Sequence, residues 1–179
     1  MYQDILDFWF APENVKKWYI KDDQFDDEIR HYFYDDYKEA CGGKLNSWKD
    51  ESLSALALII VWDQFSRNLF RHDPRAFDQD FKAFELARSL VHQGQDQKLS
   101  VQQRKFVYMP FMHRENLKDQ IFCVQLFQTI AERDPGYEWA IQHMQVIEKY
   151  GRFPHRNAVL GRKNTPAEEE YLHQNPQGF

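Results

Sequence analysis

Ser52-Leu-Ser-Ala-Leu-Ala-Leu-Ile-Ile-Val-Trp62 is the stretch that decides the fold. It is apolar on nearly every side, so as a helix it needs apolar neighbours all round, and it reads as the central helix of an all-α protein, running on to Phe70. The apolar run from Ala55 to Trp62 is far shorter than the roughly 20 residues that cross a bilayer, which makes it core and not membrane span.

The flanking sequence keeps the helical period, and no alternating stretch is long enough to seed a sheet. Ile5, Leu6, Phe8, Trp9 and Phe10 mark a first helix, with Pro12 at its end or opening the next turn. Phe25, Ile29, Phe33 and Tyr37 step at four-residue intervals down a helix from about Asp23 to Cys41, which Gly42-Gly43 stops. Asp73-Pro74 opens another helix, with Phe77, Phe81, Phe84 and Leu90 predicted on its inner face until Gly94. A short helix from Val101 to Tyr108 is expected to end before Pro110. Two more run from about Asn116 to Ala131 and from Tyr137 to Tyr150, with Asp134-Pro135-Gly136 between them. Thr165-Pro166-Ala167-Glu168 is a capping box that starts the last one. About eight helices joined by short connections, many in antiparallel pairs, predict a helical array or irregular bundle. With no repeat of fixed period and no Gly-, Ser- or Pro-rich linker, residues 1–179 read as a single domain.

Composition fits that reading. The 179 residues include fifteen Phe and five Trp, enough large apolar area to bury roughly 70% of the unfolded surface without covalent staples. Cys41 and Cys123 lie far apart in the chain and form neither a disulfide framework nor a paired metal spacing, which fits a reducing compartment. Met1 to Asp7 carries acids and no base, unlike a secretory leader, and the expected location is the cytoplasm. No cofactor is expected. There is no Gly-x-Gly-x-x-Gly, no Walker loop and no Gly-x-Ser-x-Gly elbow, and an all-helical chain lacks the strand those motifs require.

The net charge of -5 is unevenly spread. Acids crowd the chain up to Glu51, whereas Lys149 to Lys163 holds Lys149, Arg152, Arg156, Arg162 and Lys163 with no acid. One basic stretch on an acidic protein favours a small anion or an acidic peptide over nucleic acid, whose affinity needs many phosphate contacts. The competing reading is that these bases pair internally with the acidic half.

Polar residues gather in a few segments. Asp63, Arg67 and Arg71 are spaced by four and are predicted to share a helix face at the border of the core, with Asn68 beside them. An Arg held by an Asp is a good fork for a carboxylate or phosphate, and equally a brace that closes a helix end. Gly151-Arg152-Phe153-Pro154-His155-Arg156-Asn157-Ala-Val-Leu-Gly161-Arg162 reads as a short helix bracketed by Pro154 and Gly161. Its Arg, His and Asn side chains point either to an anion site or to loop carbonyls that need donors. Pro110-Phe111-Met112-His113-Arg114-Glu115 is a further polar group, and His143 falls on an inner stripe with Ala140, Met144 and Ile147. His113, His155 and Glu115 are the candidates for acid-base chemistry. Metal is not expected, since the histidines lack ligand spacing and a lone His on an apolar face is commonly a hydrogen-bonded core residue.

At these residues the chain resembles the bacterial proteins grouped as domain of unknown function 924. The likeness rests on Phe8-Trp9-Phe10, Asp63-Gln64-Phe65-Ser66-Arg67-Asn68, Pro110-Phe111-Met112-His113-Arg114-Glu115, Gly151 to Asn157 and Gly178-Phe179. Ser66 stands where Pro is commoner in that family, and Arg114 where Ser is. The resemblance implies a tetratricopeptide-like helical fold and brings no activity with it. From the residues, the leading expectation is a binding module. Its groove, lined by Asp63, Arg67, Asn68, His113, Arg156 and Asn157, takes a small anion or an acidic peptide end, with Arg71, His143, Arg152, His155 and Arg162 nearby. The alternatives are a hydrolase- or transferase-type enzyme using His113 or His155 with Glu115 and an Arg67/Arg156 anion clamp, and a purely structural or protein-interaction scaffold.

Overall fold

The computed structural model describes residues 1–130 and 134–176. All regular structure in them is helical, and they fall into two compact units, Met1–Pro110 and Phe111–Phe179.

In the first unit the decisive stretch is central. Helix α4 (Ser52–Ile59) continues without a break into a π-helical segment, Ile60–Phe65, and then into α5 (Ser66–Leu69). Every residue from Ala55 to Val61 is fully buried. Helices α1 (Tyr2–Trp9) and α6 (Asp80–His92) pack on α4, while α3 (Asp23–Cys41) packs on the π segment and α5. The predicted stripe of α3, Phe25, Ile29, Phe33 and Tyr37, is buried throughout. Asp22 caps that helix by accepting from the Phe25 amide, and Gly43, at φ +79°, takes the left-handed turn that a side chain would resist. Pro12 opens a one-turn helix, α2 (Pro12–Val15).

The π segment was not legible in the sequence. Its wider turn displaces the usual i to i+4 bonds, so backbone carbonyls need other donors. Ser66 Oγ donates to the Trp62 carbonyl at 2.7 Å, and the Arg67 guanidinium donates to the Asp63 carbonyl.

Two expectations change. Asp73 does cap a helical start, accepting from the Arg75 amide at 2.9 Å, but Pro74–Phe77 is a 3-10 turn and α6 begins only at Asp80. That start sets the buried face as Ala83, Phe84, Leu86, Ala87 and Leu90, and it leaves Phe81 58% exposed instead of inward. Helix α7 (Val101–Met112) runs through Pro110 instead of stopping short of it. Pro110 removes one amide close to the helix end, and burial of Phe106, Val107, Tyr108, Phe111 and Met112 outweighs that loss.

In the second unit, α8 (Leu117–Gln128) and α9 (Pro135–Tyr150) pack against each other. Asn116 caps α8 and Asp134 caps α9. A Cβ on Gly136 would lie 2.5 Å from the Phe127 ring, so only glycine allows that approach. Gly151, at φ +72°, ends α9. A loop with a 3-10 turn, Pro154–Arg156, leads to α10 (Pro166–Gln174), which starts at the predicted capping box. Val146, Ile147 and Phe153 form a buried cluster of this unit, with Tyr150 and Tyr171 packed against it. Asn175 closes α10 by donating to the Tyr171 carbonyl. The predicted helix end at Ala131 and the terminal Gly178-Phe179 lie outside the described residues.

No described helix is long and apolar enough to cross a membrane. Neither Cys41 nor Cys123 is in a disulfide, and Cys123 is buried.

Candidate functional site

The polar residues of the Met1–Pro110 unit are tied to carboxylates. Asp63 is fully buried and accepts from Gln64 Nε2 at 2.5 Å. Arg67 lies 3.3 Å from the same carboxylate and forks onto Asp80 through two bonds of 2.9 and 3.0 Å. Burial works against the Arg67 charge, but Asp63 and Asp80 outweigh it and hold the group above its ordinary pKa. The guanidinium also stacks over Phe77, 5.6 Å from the ring centre.

Arg71 does not share a helix face with Asp63 and Arg67, because α5 has already ended at Leu69. It turns instead onto Asp26 of α3, which also accepts from Asn68 Nδ2 at 2.7 Å. Arg30 of α3 donates to the Leu69 carbonyl at the same helix end. Sequence spacing missed Asp26 and Asp80, since each looks like an ordinary first-turn acid of its helix.

The second unit gathers Glu115, His113, His143, His155, Arg156, Asn157 and Arg162. Glu115, just before α8, receives a bidentate fork from Arg162 at 2.6 and 2.9 Å and the Phe153 amide at 2.9 Å. Burial pushes the Glu115 carboxyl up, but the bonds from Arg162 and Phe153 and the charges of Arg162 and Arg156 bring it below its ordinary value. Arg162 Nε donates to Asn157 Oδ1, and Asn157 Nδ2 donates to Asn164 Oδ1, each at 2.8 Å. Asn157 is itself fully buried. These bonds clasp the irregular 151–165 loop to the start of α8.

Arg156 is 8% exposed. It donates to the His113 carbonyl at 3.1 Å and stacks on Phe153, 4.7 Å from the ring centre. The imidazoles of His143 and His155 each lie 5.5 Å from the same Phe153 ring. His143 Nδ1 is 2.7 Å from the Trp139 carbonyl, and a carbonyl can only accept, so Nδ1 carries the proton there. Burial, followed by the His113, Arg156 and His155 charges, lowers His143 to about 3 against the bond to Trp139. Burial, then Arg156, lowers His155 to about 4, with Glu115 opposing. At neutral pH both rings are uncharged.

Arg152 is held by a carboxylate other than Glu115. It forks onto Glu168 at 2.6 and 2.9 Å, and Glu168 also completes the capping box of α10 by accepting from the Thr165 amide at 2.7 Å. That one carboxylate therefore caps a helix and anchors the loop, a double duty the capping motif alone did not reveal. The bonds from Arg152 are the first cause holding Glu168 at about 2. Among the described residues, no group of three or more His, Cys, Asp or Glu is placed to hold a metal ion.

The fold, with its clustered Arg, His and Asn side chains, defines a small all-helical protein. Residues 5–176 match the family described as bacterial protein of unknown function (DUF924), and the chain belongs to that family. It is similar to the solved structure of a protein of unknown function from Agrobacterium tumefaciens, at 35% identity over 97% of each chain with a TM-score of 0.90. No curated protein matches the chain.

Proposed function

We propose that the Phe111–Phe179 unit is a binding module for a small anion, either a carboxylate-bearing molecule or an acidic peptide end. One observation carries the reading: the Arg156 guanidinium and the imidazoles of His143 and His155 gather about the Phe153 ring, with His113 acting on both histidines and the Arg162–Glu115 fork on His155. Arg156 lowers the pKa of both His143 and His155, which marks a positive local field. Neutral imidazoles and guanidinium forks are the donors that carboxylate and phosphate oxygens take.

The same geometry weighs against the acid-base reading. A general base works best with a pKa near the working pH, yet His143 and His155 sit at about 3 and about 4, and Glu115 is engaged by a fork and a backbone amide. In the other unit, the donors of Arg67, Asn68 and Arg71 that bond Asp80 and Asp26 are already committed. Arg162 is likewise engaged by Glu115, Asn157 and the Phe153 carbonyl, so the proposal rests on Arg156 and the imidazoles of the Phe111–Phe179 unit.

Thermal unfolding with inorganic phosphate, citrate and succinate as probes tests it. A ligand that binds the folded state raises the melting temperature by mass action. The wild-type protein should show that rise with at least one probe. Arg156→Ala should start from a lower melting temperature, because Arg156 is buried against Phe153, and should show no rise. Equal increments in both proteins, or none in the wild type, would overturn the proposal.

A further inference from the structure

The Met1–Pro110 unit holds a cleft of about 510 Å³ at the junction of α1 and α2, a size that accommodates small organic ligands. Asp7 from α1 and Glu13 from the first turn of α2 line it, together with Phe10, Leu53 and Gln103. Neither carboxylate makes an ion pair among the described residues, which sets them apart from the forked Asp26, Asp63 and Asp80 of the same unit. Asp7 accepts only a neutral donor there, Gln3 Nε2 at 2.7 Å.

The apolar wall is equally specific. Leu53 is 40% exposed although Ala55 to Val61 on the same helix are fully buried, so an aliphatic side chain is left facing the cleft. Phe10 is held edge-on by Trp18 and Phe106, each 5.6 Å away, which makes it a rigid surface.

Two carboxylates that make no ion pair among the described residues, beside a hydrocarbon and aromatic wall, select a positive charge attached to an apolar body. The carboxylates attract an ammonium, the aromatic ring adds cation-π attraction, and Leu53 gains by being covered. We infer that this cleft binds a small organic ammonium, an amine with a compact apolar body, with its charge at Asp7 and Glu13 and its body against Phe10 and Leu53. The site lies in the other unit from the anion site proposed above and takes the opposite charge, so either can fail without the other.

Amide chemical-shift titration of the full chain with cyclohexylammonium chloride tests this, with cyclohexanol, sodium cyclohexanecarboxylate and ammonium chloride as controls. Cyclohexylammonium should give saturable shifts confined to α1, α2 and the neighbourhood of Leu53 and Gln103, and the three controls should not. The double variant Asp7→Asn/Glu13→Gln should bind at least about tenfold more weakly with an unchanged melting temperature. Leu53→Lys tests the same point from the opposite direction, because a tethered ammonium competes for the two carboxylates and should block the added amine. Cyclohexanol binding as well as the amine, shifts that do not saturate, or a double variant that binds like the wild type would each overturn the inference.

Discussion

The arginines of the two units are held in opposite ways. Around Arg67 and Arg71, carboxylates on helical segments, Asp63, Asp80 and Asp26, face cations at a helix end. Around Arg162 and Arg152, carboxylates at helix starts, Glu115 and Glu168, grip cations borne by an irregular loop. The first arrangement ties helices to one another. The second fixes a loop that lacks regular backbone bonds of its own, and it does so beside three histidines. A loop built this way responds to protonation, and a helix-to-helix brace around a buried carboxylate responds mainly to deletion.

Acidification sharpens that contrast most. His143 and His155 have folded pKa values of about 3 and about 4, below the unfolded value near 6.5. Between those values the unfolded chain binds more protons, so stability is complete above about pH 6.5 and falls as pH drops toward 4, by about 1.4 kcal/mol per pH unit for each histidine. Denaturant unfolding from pH 7 to 4.5 should show this slope, and His143→Gln and His155→Gln should each flatten it. A flat profile in the wild type would remove the contrast.

Asp63→Ala should follow in size. It removes a fully buried carboxylate that serves Gln64 and Arg67, and breaking a buried pair costs about 3 kcal/mol or more. Asp80 still holds Arg67 in this variant, so a loss under about 1 kcal/mol, read by urea unfolding, would show that Asp80 alone suffices. Glu115→Ala leaves a partly exposed fork broken and the Phe153 amide without its acceptor, for an expected loss of about 2 kcal/mol. A double-mutant cycle with Arg162→Ala should return a coupling of about 1 kcal/mol; no coupling would mean that the loop is held by packing alone. Thr165→Ala is the smallest change, about 1 kcal/mol from one lost helix cap, measured by the same unfolding curves.

The all-helical architecture was legible because burial and local chemistry agree along most of the chain. The α3 stripe, the Asp134 cap and the Thr165 box each state their structure in a few residues. Where competing terms decide, the sequence misled. Pro110 argues locally for a helix end, yet buried neighbours on both sides carry α7 past it. Phe81 is apolar and in phase with Phe77 and Phe84, but the 3-10 turn at Pro74–Phe77 shifts the phase and turns it outward. At the polar sites, spacing pointed to the Asp63–Arg67 pair and missed the other carboxylates, because Asp26, Asp80 and Glu168 come from other elements of the chain. His143 was recognisable as an inner-face residue, whereas its gathering with His155 and Arg156 around Phe153 needed the loop to fold back.

One residue too many sits between Ile60 and Phe65, and the widened turn takes it up. Each α-helical residue advances the chain by roughly 100° around the axis, so an extra residue in a regular turn would rotate everything after it, whereas the π turn absorbs it and keeps Arg67 and Asn68 on their bearing. Deleting a single residue from a regular turn beside it, where nothing absorbs the change, would keep the composition almost unchanged and still swing those side chains by about that angle, pulling Arg67 away from Asp80. At this point of the chain, the count of residues matters more than their kind.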